Sequence, residues 1–110
     1  MLLNTPAPAA KPKAVSYQPM AMLAEWHKAT GQLRFIEEPD AVGRKKTSKL
    51  TLELIREEFK EVADELLDLM NGHGDRVKLA KELADLLYVT YRAADVFEIP
   101  LQAVFAAVHE

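Results

Sequence analysis

The chain has 110 residues, 49% of them hydrophobic and 28% charged, which suits one domain with a core of its own. A net charge of −3 speaks against a primary nucleic-acid binder, and the absence of cysteine excludes disulfides, thiolate catalysis and thiolate zinc sites. No apolar run approaches the roughly 20 residues of a membrane span, and Met1-Leu2-Leu3 runs straight into Asn4, Pro6, Pro8 and Pro12 rather than into a secretory signal; the expected setting is the cytoplasm, with neither nucleic acid nor membrane as partner.

Residues 1–16 are rich in Pro, Ala and Lys and carry no helical period. They are expected to form a disordered or extended arm, leaving 17–110 as a helical domain. A first helix is predicted over Pro19–Thr30, with Met22, Leu23, Trp26 and Ala29 along one side and Gly31 to end it. Residues 32–48 contain Pro39, Gly43 and the basic run Arg44-Lys45-Lys46 and are read as a loop, with Thr47 or Ser48 capping the second helix. That helix, about residues 49–70, has Leu52, Ile55, Phe59, Val62, Leu66 and Leu69 at alternating steps of three and four.

Asn71-Gly72-His73-Gly74 reads as a turn, and Asp75 as the cap of a third helix over about residues 76–97. Its stripe is Leu79, Leu83, Leu86, Thr90, Ala93 and Phe97. Pro100 suits the first turn of a fourth helix bearing Leu101, Val104, Phe105 and Val108. The fold class is all-α. Helices this few make a thin core, and their apolar surface exceeds what one hairpin hides, so self-assembly is expected.

The acidic residues are unevenly placed. Helix two holds Glu57-Glu58-Phe59-Lys60-Glu61, and helix three holds Glu82-Leu83-Ala84-Asp85. Carboxylates three apart share one helix face. Glu58 and Glu61 each directly precede a stripe residue, as do Glu82 and Asp85, so both pairs sit on the same shoulder of their own stripe. In an antiparallel hairpin the two rows could face a common cleft. Like-charge pairs at i,i+4, such as Glu57–Glu61 and Asp64–Asp68, each cost about 0.2–0.5 kcal/mol in an isolated helix. A cation relieves that cost, and oxygen-only donors suit Mg²⁺ or Mn²⁺. The bland alternative is a solvated acidic face.

Glu57-Glu58-x-x-Glu61 followed by Glu82-x-x-Asp85 resembles the signature of the MazG-like all-α nucleoside triphosphate pyrophosphohydrolases. Lys81 to Tyr91 is similar to that family's third helix, residues 103–110 to the start of its fourth, and Glu25-Trp26-His27-Lys28-Ala29 to its first. The resemblance covers about residues 20–110. It implies a four-helix bundle assembled as a dimer or dimer of dimers, which hydrolyses (d)NTPs to the monophosphate and pyrophosphate with Mg²⁺ or Mn²⁺. By the same resemblance Glu58, Glu61, Glu82 and Asp85 are metal ligands, and Glu57 is a further ligand or an activator of the attacking water. In that family the fourth helix usually runs on into an Asn and a Lys that contact phosphates.

Further candidates for substrate contact are Lys46 and Lys49, with Arg44 and Lys45, reaching the triphosphate across a dimer; Trp26 stacking on a base; His27 reading its edge; and Tyr88. Each has a plain structural counterpart: a solvated basic loop, an interface tryptophan, a surface histidine, a packing tyrosine. His73 in the turn and His109 are read as structural or solvated. Three other functions compete. A di-iron bundle wants Glu-x-x-His pairs, and none of the three histidines has a Glu three residues before it. The remaining two are a non-catalytic helical interaction or metal-binding module, and a phosphoribosyl-ATP pyrophosphohydrolase.

Overall fold

The computed structural model describes residues 18–31 and 33–109; the expected arm over 1–16 lies outside them. Four helices follow in order: α1 (Pro19–Thr30), α2 (Ala41–Met70), α3 (Arg76–Val96) and α4 (Leu101–Val108), with a 3-10 turn at Phe35–Glu37 between the first two. No strand occurs among the described residues, and none of their helices is long and apolar enough to cross a membrane. The all-α expectation holds.

α1 starts on Pro19, whose missing N–H suits a helix's first turn. It stops at Gly31, whose φ of 70° is left-handed. α2 departs from the sequence reading by starting at Ala41 instead of about residue 49. The cap is Asp40, whose carboxylate accepts the Gly43 N–H at 2.8 Å. The hydroxyls of Ser48 and Thr51 donate back to the carbonyls of Arg44 and Thr47, both at 2.9 Å, as they do in a helix interior. Arg44, Lys45 and Lys46 therefore ride on the second turn of α2 and not on a loop.

α2 and α3 form an antiparallel hairpin about a tight turn. A Cβ on Gly74 would stand 2.6 Å from the Cα of Leu69, so the chain folds back more closely there than a larger residue permits. Asp75 caps α3 as expected, accepting the Val77 N–H at 2.8 Å. α1 packs on α3, and the 3-10 turn lies on α2. Pro100 stands just before α4, at its cap position.

The buried apolar residues are Leu23, Val62, Leu79, Val89, Ala94 and Val96. This core is thinner than the predicted stripes. On α2, Leu52, Phe59 and Leu66 are 48%, 63% and 46% exposed, while Thr51 and Val62 turn inward. A stripe repeating every 3.5 residues drifts about 20° per heptad around a 3.6-residue helix. α3 covers one edge of that broad stripe and leaves the other open. Every residue of α4 after Leu101 is exposed.

Candidate active site

The hairpin brings Glu58 and Glu61 of α2 against Glu82 and Asp85 of α3. One oxygen from each of the four carboxylates lies within 4.8 Å of the other three, and all four residues are half-buried. The drift that exposes Phe59 is what aims its neighbour Glu58 into the seam. Oε2 of Glu58 and Oε2 of Glu82 are buried without a hydrogen-bond partner. Buried acceptors left unpaired are costly. An all-oxygen donor set with two such orphans fits a hard divalent cation such as Mg²⁺ or Mn²⁺.

The electrostatics agree. The Glu61 carboxyl is pushed up to about 7, first by a shared hydrogen bond with Glu82, then by burial and by the charges of Glu58 and Glu82. Among the described residues, the cation at the cluster's rim is Lys81, whose Nζ is 3.0 Å from Asp85 Oδ2 and 3.3 Å from Glu82 Oε1. Those two partners, Asp85 foremost, raise its pKa above the usual lysine value.

These shifts predict a pH response. With its carboxyl near 7 in the fold against an ordinary value of 4.5, Glu61 binds a proton in the folded chain that the unfolded chain has released. That contribution to stability is complete below about pH 4.5 and is lost as pH rises through about 7. In EDTA, Tm should therefore fall between about pH 5 and about pH 8, and Glu61→Gln should flatten that part of the profile. Mn²⁺ binding at about pH 6 should release protons, measurable by calorimetry in buffers of different ionisation enthalpy.

Glu57 does not join the four; it is exposed and outside the cluster. Trp26 and Tyr88 come together with Met22, Leu23, Leu87 and Tyr91 around an apolar cavity of about 430 Å³ between α1 and α3. The Arg92 guanidinium lies 6.0 Å from the Trp26 ring centre, and burial lowers its pKa. Tyr88 follows Asp85 by three residues on α3, so cavity and cluster share an edge of that helix. Lys46 and Lys49 are exposed on the N-terminal half of α2. At about 1.5 Å rise per residue they stand roughly 18 and 13 Å along the axis from Glu58.

His27 is not the surface residue of the plain alternative: it is 4% exposed, with Nδ1 in direct contact with Asp95 Oδ2. Asp95 is itself 6% exposed and accepts from Arg34 Nη2 at 3.1 Å. His73 is exposed in the turn, and the His109 ring leans on Phe105 at 4.7 Å. Lys81, Arg92 and Asp95 escaped the sequence reading. The i,i+4 spacing of Lys81 and Asp85 was a legible signal for the first. The ion pair of Arg34 and Asp95 joins positions 61 apart, and no local pattern marks it.

The family model of phosphoribosyl-ATP pyrophosphohydrolase matches residues 27–110, which include the whole carboxylate cluster. Comparison with curated proteins and with solved structures gives no significant match. The match agrees with the resemblance to MazG-like enzymes at the level of their shared all-α pyrophosphohydrolase superfamily. With more than half of its length matched, the chain belongs to the phosphoribosyl-ATP pyrophosphohydrolase family, enzymes that release pyrophosphate from a nucleotide-like substrate.

Proposed function

We propose that the protein hydrolyses (deoxy)nucleoside triphosphates to the monophosphate and pyrophosphate with Mg²⁺ or Mn²⁺. The observation that carries this reading is the convergence of four carboxylate oxygens within 4.8 Å on two facing helices. Glu58, Glu61, Glu82 and Asp85 would hold the cation. Bound there, it supplies positive charge against the phosphate oxygens and the departing pyrophosphate. Glu58, or Glu57 beside it, orients the attacking water and takes its proton. Water adds to phosphorus, the anhydride between the α- and β-phosphates breaks, and pyrophosphate leaves.

Trp26 and Tyr88 offer aromatic faces to a base in the apolar cavity. Lys46 and Lys49, remote from the cluster of their own chain, would reach the triphosphate from a neighbouring subunit. A dimer or dimer of dimers fits the exposed Phe59 and Leu66 edge of α2 and the open face of α4. We place the reaction in the cytoplasm.

A second reading, favoured by the family match, is phosphoribosyl-ATP as substrate. The same anhydride breaks, so the cluster serves both. The test is a panel of the canonical NTPs and dNTPs, dUTP and phosphoribosyl-ATP, with Mg²⁺ or Mn²⁺ and the products resolved. Monophosphate with pyrophosphate from (d)NTPs supports the first reading, and turnover of phosphoribosyl-ATP alone supports the second. No turnover of any substrate would sink both and leave a non-catalytic helical module.

A further inference from the structure

Lys81 stands where no sequence motif placed a functional residue. Its ammonium bridges Asp85 Oδ2 at 3.0 Å and Glu82 Oε1 at 3.3 Å, two of the four converging carboxylates. No other ion pair to the cluster occurs among the described residues. The partners differ in exposure: the Lys81 side chain is 69% exposed, against 15% for Glu82. The lysine is thus anchored at its tip on a half-buried site while its stem is free to swing. Lys81, Asp85 and Tyr88 fall at i, i+4 and i+7 on α3, one row along a single edge. That edge runs from the lysine past the cluster to the wall of the apolar cavity.

From this arrangement we infer that Lys81 is an internal counter-cation that competes with the divalent ion for Glu82 and Asp85 and then turns outward to hold the substrate's phosphate oxygens. The inference rests on the metal-dependent reading above. A divalent cation taking oxygens of Glu82 and Asp85 meets a positive charge already there, and like charges at such distances repel. The exposed stem lets the ammonium leave at the cost of an exposed ion pair, which is weak. Once displaced, it lies at the rim of the site on the edge that leads to the cavity. An ammonium holds phosphate as a point charge and needs no fixed fork geometry. Lys81 is then a specificity-determining residue for the triphosphate and not a metal ligand.

The two halves of the role pull in opposite directions, and a merely structural lysine would not do that. Mn²⁺ binding is measured by electron paramagnetic resonance on the full chain without nucleotide, for wild type, Lys81→Met and Lys81→Arg. KM for the preferred substrate is measured alongside at saturating Mn²⁺. Lys81→Met should bind Mn²⁺ about 2–5-fold more tightly, the scale of a lost exposed ion pair, while KM rises by a similar factor or more. Lys81→Arg should return both values toward wild type. Equal Mn²⁺ affinity in wild type and Lys81→Met overturns the inference and leaves the metal site standing. Tighter Mn²⁺ binding with unchanged KM overturns the phosphate-holding half. Absence of Mn²⁺ binding in every protein overturns the metal-dependent reading and this inference with it.

Discussion

Glu61→Ala is expected to lower pyrophosphate release by at least about 10²-fold, the scale on which removal of one charge-stabilising group acts, and to weaken Mn²⁺ binding. Its effect on folding should have the opposite sign. In the fold the Glu61 carboxyl is held up to about 7 by its acidic neighbours and by burial; it is therefore destabilised as an anion at neutral pH. Replacing it removes that repulsion, so Tm in EDTA at about pH 8 should stay level or rise. Glu53→Ala is the matched control: an exposed carboxylate two turns earlier on α2 and outside the cluster, whose loss should leave turnover near normal. If Glu61→Ala kept full turnover while folded, the carboxylate cluster would not be the active site.

Asp95→Ala should act through the fold instead. Asp95 is 6% exposed and meets both the buried His27 and the guanidinium of Arg34. It thereby ties the end of α1 and the segment after it to the end of α3. Removing one partner of a buried charge pair costs about 3–5 kcal/mol. Arg34 is 27% exposed and regains water, so the low end, about 3 kcal/mol, is expected. For a domain this size that is a fall in Tm of roughly 12–24 °C. Asp95→Asn keeps the shape and part of the hydrogen bonding, and should recover part of the loss. Mn²⁺ affinity of the folded Asp95→Ala protein should match wild type, because none of these residues is in the carboxylate cluster. A change in Tm within about 1 °C would mean that the His27–Asp95–Arg34 contact does not hold α1 in place.

The two variants separate the two kinds of charged cluster in this small protein. Around Asp95 unlike charges meet and hold elements together. In the seam of the hairpin like charges converge, at a cost to the fold that Lys81 offsets in part at Glu82 and Asp85 and that a bound cation or a proton would offset further. Strain of that second kind gathers at functional sites.

What the sequence determined by itself was local. Helix existence and most boundaries followed from apolar period and stop signals: Pro19 and Gly31 for α1, Asp75 for α3. The i,i+3 spacing of Glu58 with Glu61 and of Glu82 with Asp85 put each pair on one face, because the period of a helix is fixed. The start of α2 was misplaced because Asp40, Thr47 and Ser48 all have side chains able to cap. Only the backbone around Asp40 shows which one does, while the Ser48 hydroxyl bonds back into the helix and that of Thr47 donates to the Glu38 carboxylate.

Tertiary structure decided the rest. It chose which edge of the broad α2 stripe faces α3, burying Val62 and exposing Phe59, because a helix presents a continuous surface and its phase is set by the partner it packs on. That choice brought the two acidic pairs to within 4.8 Å, left Glu57 outside, and set Lys81 at the rim. It also turned His27 inward onto Asp95, a pairing between distant segments that exists only once α1 lies on α3.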